Sequence, residues 1–369
     1  MAALFKEERN LTPRVTHVVP ALFDREGGVV GGAERYAFEL ARHMAGRVPT
    51  TLVTFGERER RETVGDLRVR VIGGARYVRG QRTNPVSASL LAELRGADVV
   101  HCHQRCVLAS TLSALVCRLT RRRVFVTDLG GGGWDLSAYV STDSWYHAHL
   151  HISEYSRRVY GQDGDARAHV IFGGVDAEKF SPDERVERDG KALFVGRILP
   201  HKGVDTLVRA LPEGMALDIV GQAYDDAYAR DLKSLAEGKR VVFRHDCDDR
   251  ALVEAYRGAL CVVLPSVYRN MYGQETTVPE LLGQTLLEGM ACGAPAVCTD
   301  VASMPEVVED GVTGFVVAPN DPASLGARLL WLREHPREAA EMGRAARRRV
   351  LEKFTWGPVV SRCLEIYSS

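Results

Sequence analysis

Short, almost wholly apolar segments alternate with helical segments along the chain, and this alternation leaves few folds open. Strands that carry apolar residues on both faces are buried on both faces. In the first half, such segments are Val15–Pro20, Leu52–Phe55, Val69–Ile72, Val99–His101 and Val124–Thr127. Between the first two of them, apolar residues recur at helical spacing from Ala33 to Met44. The pattern predicts an α/β fold with a parallel sheet that helices cover on both sides.

The same rhythm begins again after a polar stretch, residues 181–190, which we interpret as a linker. The predicted strands of this second set are Ala192–Val195, Leu217–Val220, Val241–Phe243 and Cys261–Leu264. A chain of 369 residues with 45% hydrophobic content is long enough for two domains. We therefore predict two Rossmann-like domains, residues 1–185 and 186–353, followed by a C-terminal helix over residues 354–369.

Composition argues against several classes of protein. Lys+Arg and Asp+Glu are both 48, so there is no basic excess of the kind that indicates a nucleic-acid partner. The N-terminus lacks the apolar core of a signal peptide, and no apolar run approaches the roughly 20 residues of a transmembrane helix. The 8 cysteines are scattered, with no Cys-x-x-Cys, which indicates reduced thiols. We expect a cytoplasmic, bacterial protein without an integral membrane segment.

Two glutamates with seven residues between them, Glu280 and Glu288, lie inside the most informative stretch of the chain. A helix is predicted over residues 284–291, because Gly293 fits a C-terminal cap and Pro295 prevents the helix from restarting. With about 1.5 Å of rise per helical residue plus the loop, the carboxylates would lie roughly 10 Å apart. That spacing suits two sugar rings joined by a diphosphate. The alternative is an amphipathic helix with two solvated glutamates.

The start of this predicted helix is a candidate anion site. The first N–H groups of a helix have no partner within the helix, and they point towards a bound anion. Here these groups belong to Gly283, Gln284 and Thr285. They would hold phosphates between the two sugar-binding glutamates.

Two cations follow the first strand of the second half. After this strand, Gly196 allows a tight turn, and Arg197 and Lys202 come next in the loop. A diphosphate leaving group develops negative charge as the sugar bond breaks, and fixed cations stabilise that charge. Surface Arg and Lys are common, so this motif gains its weight from the two glutamates further along the chain.

Together the two motifs resemble the donor site of the retaining GT-B glycosyltransferases of family 4. The resemblance implies two Rossmann-like domains that face a central cleft, with the last helix crossing back to the first domain. It also implies that Arg197 and Lys202 contact the diphosphate, that Glu280 holds hydroxyls of the transferred sugar, and that Glu288 grips the ribose. Arg197, Lys202 and Glu280 are then the expected catalytic residues. The remaining donor contacts that it implies are Gly31, Gly32, Gly196, Leu282, Gly283, Gln284 and Thr285.

Candidate contacts for the acceptor or the transferred sugar lie in the first domain. The strand that ends at His103 matches the Asp-Val-Val-His-x-His strand of the family. Many members carry a histidine after the fourth or fifth strand, but the matching segment here has none. Asp128 and the glycine loop around Gly131 are the two candidates to replace it. The stretch Val267–Val278 is longer than in simple members and is expected near the nucleotide base.

Two other groups of residues invite a functional interpretation. His101, Cys102, His103 and Cys106 suggest a metal site, but neighbouring strand residues point to opposite faces and no second cluster has zinc spacing. We therefore expect no metal, and the resemblance implies none. Arginines within residues 58–82 lie in an apparently loop-rich region, so an acidic acceptor and a solvated surface both remain open. Arg118 and Arg121 to Arg123 end a helix, where peripheral contact with an anionic membrane also remains open.

These observations predict a retaining, metal-independent hexosyltransferase that uses a UDP, GDP or ADP sugar and no further cofactor. It would transfer the sugar to a hydroxyl, or another nucleophile, of a small molecule or glycan by a front-face mechanism. The alternatives are an epimerase or phosphorylase of the same fold, a non-catalytic sugar-nucleotide binding subunit, or a nicotinamide oxidoreductase. The last would need Gly-x-Gly-x-x-Gly between a strand and a helix, which the chain lacks in that context. The oligomeric state stays open.

Overall fold

The structure is a computed structural model that describes residues 12–21, 32–130 and 133–369. Strands and helices alternate along both halves of the chain, as the sequence predicts. Two of the predicted site glycines, Gly31 and Gly131, lie outside the described residues.

The chain divides into two compact units, each with a sheet of its own. The first unit comprises Met1–Leu150, Ala166–His169 and Val360–Ser369, and the second comprises His151–Asp165 and Val170–Val359. This division assigns residues 151–165 and 170–185 to the second unit, whereas the sequence predicts a boundary after residue 185.

The first unit is built on an eight-stranded sheet, accompanied by a two-stranded ribbon. In chain order the strands are β1 (Val15–Val18), β2 (Thr50–Phe55), β3 (Arg60–Val64), β4 (Leu67–Ile72), β5 (Arg76–Tyr77), β6 (Pro85–Val86), β7 (Val99–His103), β8 (Arg123–Thr127), β9 (Ala148–His151) and β10 (Ala168–Val170). The sheet has the order β10-β9-β8-β7-β1-β2-β4-β3, and β5 and β6 form the ribbon. The pairings from β4 through β2, β1, β7 and β8 to β9 are parallel, and β3 is antiparallel to β4.

The hairpin of β3 and β4 corrects one expectation. The sequence predicts a loop-rich region over residues 58–82, apart from the strand at Val69–Ile72, but the structure also forms β3 and β5 there. Every residue of β3 is exposed. Its sequence therefore lacks the apolar alternation by which a half-buried strand is recognised.

The second unit is built on a six-stranded parallel sheet. Its strands are β11 (Ala192–Val195), β12 (Ala216–Val220), β13 (Arg240–Arg244), β14 (Cys261–Leu264), β15 (Ala296–Thr299) and β16 (Gly314–Val317). The order is β13-β12-β11-β14-β15-β16, so the direction of winding reverses between β11 and β14. This is the order of the doubly wound Rossmann fold, and the reversal marks where such sheets bind ligands.

Helices connect the strands of both units. They are α1 (Gly32–Ala45), α2 (Ser89–Leu94), α3 (Leu108–Leu119), α4 (Glu154–Val159), α5 (Val204–Ala210), α6 (Asp226–Leu235), α7 (Asp249–Gly258), α8 (Gln284–Ala291), α9 (Met304–Val307), α10 (Pro322–Glu334), α11 (Pro336–Lys353) and α12 (Trp356–Ser368). The apolar face predicted for the first helix is the buried face of α1. Burial of such side chains stabilises the fold by about 1.5–3 kcal/mol for each large residue.

Candidate active site

The loops that follow β11 and β14 meet at the reversal point of the second sheet. Gly203, at the end of the β11 loop, has a φ of 65°, which favours glycine. A Cβ added to Gly203 would overlap the carbonyl oxygen of Pro265, the first residue after β14. Only glycine fits here, so the two loops are held in contact where a ligand is expected.

Lys202 and Glu280, two of the predicted catalytic residues, form an ion pair at this point. The distance from Lys202 Nζ to Glu280 Oε2 is 2.6 Å, and the side chains are 11% and 18% exposed. Lys202 Nζ also donates to the carbonyl oxygen of Pro279 at 3.3 Å. Burial opposes ionisation of Glu280, but the charge and hydrogen bond of Lys202 outweigh it and lower the pKa of Glu280. The site therefore holds a carboxylate and an ammonium group side by side.

Helix α8 begins at Gln284 and ends at Ala291, as the sequence predicts. Gly283 precedes it with a φ of 79°, and its N–H donates to Glu280 Oε1 at 3.3 Å. The side chain of Gln284 donates to the carbonyl oxygen of Gly174 at 3.1 Å. The structure thus differs from the predicted anion site in one respect, because the N–H group of Gly283 already has a carboxylate partner.

Glu288 lies in the second turn of α8 and is only 3% exposed. Its Oε2 accepts a hydrogen bond from the hydroxyl of Tyr256 at 2.8 Å. Tyr256 is a fully buried residue of α7. Sequence reasoning missed Tyr256, because its place among the apolar positions of α7 marks it only as a core residue.

Other predicted donor residues lie close to Lys202 or Glu280 in the sequence. Gly196 follows β11 directly, Arg197 is exposed, and Leu282 is 5% exposed. His201 is a further residue that the sequence analysis did not assign. Burial, together with the neighbouring Lys202 and Arg197, lowers the pKa of His201 to about 4. His201 is therefore neutral at pH 7, and the two neighbouring side chains supply the positive charge.

A cluster of three histidines lies in the first unit. His17 of β1 is opposite His101 of β7, and His103 lies two residues further on the same face of β7. His17 Nδ1 and His103 Nε2 are 2.7 Å apart. His101 contacts the hydroxyl of Thr127 at 2.8 Å and the hydroxyl of Tyr367, in α12, at 2.7 Å. Cys102 points to the opposite face of β7, whereas His101 and His103 share one face, so the expectation that strand alternation keeps these side chains apart holds only for Cys102.

The three histidines fit a hydrogen-bonded network better than a metal centre. One nitrogen from each ring lies within 4.8 Å of the others. Burial lowers the pKa of all three, that of His17 to about 3, so the rings are neutral. Neutral imidazoles bind metal ions, but here His17 Nδ1 and His103 Nε2 contact each other, and both ring nitrogens of His101 contact hydroxyl groups. We therefore interpret the cluster as a hydrogen-bonded network, in which His17 and His101 are structural.

The predicted acceptor contacts His103 and Asp128 follow neighbouring strands. His103 pairs in register with Thr127, the residue before Asp128. His103 is 2% exposed and Asp128 is 8% exposed. The Asp128 carboxylate accepts a hydrogen bond from the N–H of Gly130 at 3.1 Å, and burial raises the pKa of Asp128. Both side chains thus lie near the carboxyl ends of β7 and β8, where parallel sheets bind ligands.

The basic residues around the end of α3 mostly contact protein carbonyl groups. Arg118 donates to Ser144 at 3.0 Å and Arg122 donates to Leu94 at 2.6 Å. Arg123 donates to Tyr367. These contacts favour a structural role for the three arginines. Within the described residues, none of the helices is both long enough and apolar enough to cross a membrane.

Comparison with known proteins places this geometry in a family. Residues 30–179 match Glycosyltransferase Family 4, and residues 176–349 match Glycosyl transferases group 1. The alpha-maltose-1-phosphate synthase of Mycolicibacterium smegmatis is 32% identical over 271 residues, which are 64% of this chain and 67% of that protein. The D-inositol 3-phosphate glycosyltransferase of Thermomonospora curvata is 32% identical over 241 residues, which are 57% of this chain and 53% of that protein. The matches thus span about half to two thirds of the curated relatives.

Solved structures show the same fold. Anabaena HepE, crystallised with UDP and glucose, aligns with a TM-score of 0.74 and 18% identity over 97% of this chain and 100% of that one. Sucrose-phosphate synthase from Thermosynechococcus elongatus aligns with a TM-score of 0.72 and 20% identity over 96% and 98%. The chain therefore belongs to the family 4, group 1 glycosyltransferases of the GT-B fold.

Proposed function

We propose that this glycosyltransferase is retaining and metal-independent, and that it transfers a hexosyl group from a nucleoside diphosphate sugar to a small molecule or glycan. The ion pair of Lys202 and Glu280 carries the proposal. It places a cation suited to a diphosphate beside a carboxylate suited to sugar hydroxyls, at the reversal point of a Rossmann sheet.

The cations support departure of the diphosphate. As the bond between the anomeric carbon and the phosphate oxygen breaks, negative charge develops on that oxygen. Lys202 and Arg197 would stabilise this charge, the role that a divalent metal ion has in other transferases. A site with two such cations does not depend on a metal ion for this step, which supports metal independence.

Retention is what the family resemblance implies, and a retaining reaction without a protein nucleophile among the assigned residues favours a front-face mechanism. Glu280 is bound to Lys202 and to the N–H of Gly283, so it is held as a hydrogen-bond acceptor. We infer that the acceptor hydroxyl attacks the anomeric carbon on the face from which the diphosphate leaves. The new carbon–oxygen bond replaces the old one, and the departing phosphate oxygen takes the hydroxyl proton. The protein then contributes positioning and charge stabilisation.

Acceptor binding is assigned to the first unit. Asp128 and His103 are the proposed contacts, because both lie near the carboxyl ends of neighbouring strands. The hairpin within Val267–Val278, which contains a bridge between Arg269 and Glu275, is proposed to select the nucleotide base. All 8 cysteines are unpaired, which favours a reducing compartment such as the cytoplasm.

The test is the anomeric configuration of the product. The protein is incubated with α-linked UDP, GDP and ADP sugars and a set of sugar and polyol acceptors, with and without EDTA. We expect an α-linked product by proton NMR, at a rate that EDTA does not change. A β-linked product would contradict retention, and loss of activity in EDTA that added magnesium restores would contradict metal independence.

A further inference from the structure

The contact between Tyr256 and Glu288 joins two helices of the second unit. Tyr256 lies on α7 and Glu288 on α8, and both side chains are buried. The tyrosine hydroxyl donates to Glu288 Oε2 at 2.8 Å. A buried carboxylate is costly unless it is hydrogen-bonded, and hydrogen bonds to charged groups are roughly twice as strong as neutral ones. This bond therefore has a large influence on where the carboxylate points.

The tyrosine ring is itself held in place. Phe180 packs edge-on against it, with ring centroids 5.8 Å apart and an interplanar angle of 78°. Aromatic pairs prefer this geometry. Because the ring is buried and packed, the position of its hydroxyl is constrained, and the hydrogen bond constrains the position of Glu288 Oε2 in turn.

We propose that Tyr256 is a positioning residue that orients Glu288 to receive the 2′ and 3′ hydroxyls of the donor ribose. The inference rests on the proposed function, in which Glu288 is the ribose ligand. Each carboxylate oxygen has two lone pairs, so Oε2 can accept from Tyr256 and from a ribose hydroxyl together. Two neighbouring hydroxyls need both carboxylate oxygens at a defined angle, which a fixed donor provides.

The test compares ribonucleotides with their 2′-deoxy forms. Dissociation constants of UDP, GDP and ADP, and of each 2′-deoxy analogue, are measured by calorimetry for the wild type and for Tyr256→Phe. For the nucleotide that the wild type binds, we expect Tyr256→Phe to weaken the ribonucleotide about tenfold, as loss of one hydrogen bond to a charged group predicts. The deoxy form and inorganic pyrophosphate should bind as before, so the ratio of the two nucleotide affinities approaches one.

Tyr228→Phe is the matched control. Tyr228 of α6 is also fully buried, and its hydroxyl donates to the Asp205 carboxylate at 2.9 Å. Its loss should lower the melting temperature about as much as Tyr256→Phe does, but it should leave the ratio of ribonucleotide to deoxynucleotide affinity unchanged. A shift of the ratio in both variants would show a general effect of destabilisation and would overturn the proposal.

Glu288→Gln separates this inference from the proposed function. We expect Glu288→Gln also to bring the ratio of ribonucleotide to deoxynucleotide affinity close to one. Tyr256→Phe should then have no further effect on that ratio in the Glu288→Gln background. If Glu288→Gln brings this ratio close to one while Tyr256→Phe leaves it at the wild-type value, the positioning role is wrong and Glu288 remains the ribose ligand. If both variants have the wild-type ratio, the assignment of Glu288 to ribose is wrong, and the proposed role of Tyr256 is wrong with it.

Discussion

Lys202 and Glu280 in the second unit are charged and partly exposed, whereas His17 and His101 in the first unit are neutral and closed to solvent. The ion-paired side chains are 11% and 18% exposed. Both histidines are 0% exposed. An accessible ion pair can exchange its partners for those of an anionic ligand. A closed network of neutral groups has its partners inside the protein, and it contributes to stability instead.

The comparison predicts a large catalytic effect at Lys202. Lys202→Ala should lower turnover by roughly 100-fold or more, because one electrostatic group of this kind typically contributes that much. The measurement is steady-state kinetics with the preferred donor. Lys191→Ala is the control, since Lys191 pairs with Asp189 at 2.5 Å in the same unit but precedes β11. Near-wild-type turnover from Lys202→Ala would contradict the assignment of the diphosphate to this site.

Glu280 should affect the sugar and the diphosphate in opposite directions. Glu280→Gln removes a negative charge 2.6 Å from Lys202, so Lys202 becomes available to phosphate without competition. A bare nucleoside diphosphate should then bind up to about tenfold more tightly, which corresponds to about 1.4 kcal/mol, while turnover of the nucleotide sugar falls. Calorimetry and kinetics measure the two effects. Weaker binding of the bare nucleotide would show that Glu280 does not compete with it.

His17 should affect stability in acid rather than catalysis. Burial lowers the pKa of His17 from its ordinary value of 6.5 to about 3. Between these two pH values the unfolded chain binds a proton on His17, whereas the folded chain does not. Stability is therefore fully present above pH 6.5 and is lost as the pH falls from 6.5 towards 3. Each such histidine contributes a slope of about 1.4 kcal/mol per pH unit in this window.

Urea unfolding between pH 7.5 and 4.5 measures this slope. His17→Gln should make the dependence shallower by about one proton. Equal slopes for the wild type and His17→Gln would mean that His17 is not held neutral in the folded protein.

The smallest expected effect lies at the edge of the histidine cluster. Tyr367→Phe removes the hydroxyl that contacts His101 Nδ1 at 2.7 Å. We expect a loss of about 1 kcal/mol in the free energy of unfolding, typical of one buried hydrogen bond, with turnover unchanged. A fall in turnover comparable to that of Lys202→Ala would show that this hydrogen bond contributes to catalysis, which contradicts the separation of the two regions.

Much of the second unit is predictable because its strands are short, apolar and buried. The predicted bounds of β11 and β14 agree with the structure at every residue, and so do those of α8. Gly283 and Gly293 mark the ends of α8 by their positive φ angles of 79° and 78°. The sequence also predicts Lys202 and Glu280 as site residues, because Lys202 follows a strand end and both belong to motifs that resemble the family's donor site.

The rest depends on contacts between distant segments. β3 is exposed throughout, so only its pairing with β4 makes it a strand. His17 joins His101 through the register of β1 against β7, which no local pattern encodes. Tyr256 has the spacing of a core residue, and its hydroxyl gains a role only through a carboxylate on another helix.

A thermal-shift comparison of the wild type, Lys202→Ala and Lys191→Ala with UDP, GDP and ADP tests the central claim most directly. A ligand at 100 times its dissociation constant adds about 2.7 kcal/mol of stability. We predict that at least one of the three nucleotides stabilises the wild type and Lys191→Ala, and that Lys202→Ala loses this stabilisation. Stabilisation that survives in Lys202→Ala, or none with any of the three nucleotides, would contradict the account of this site.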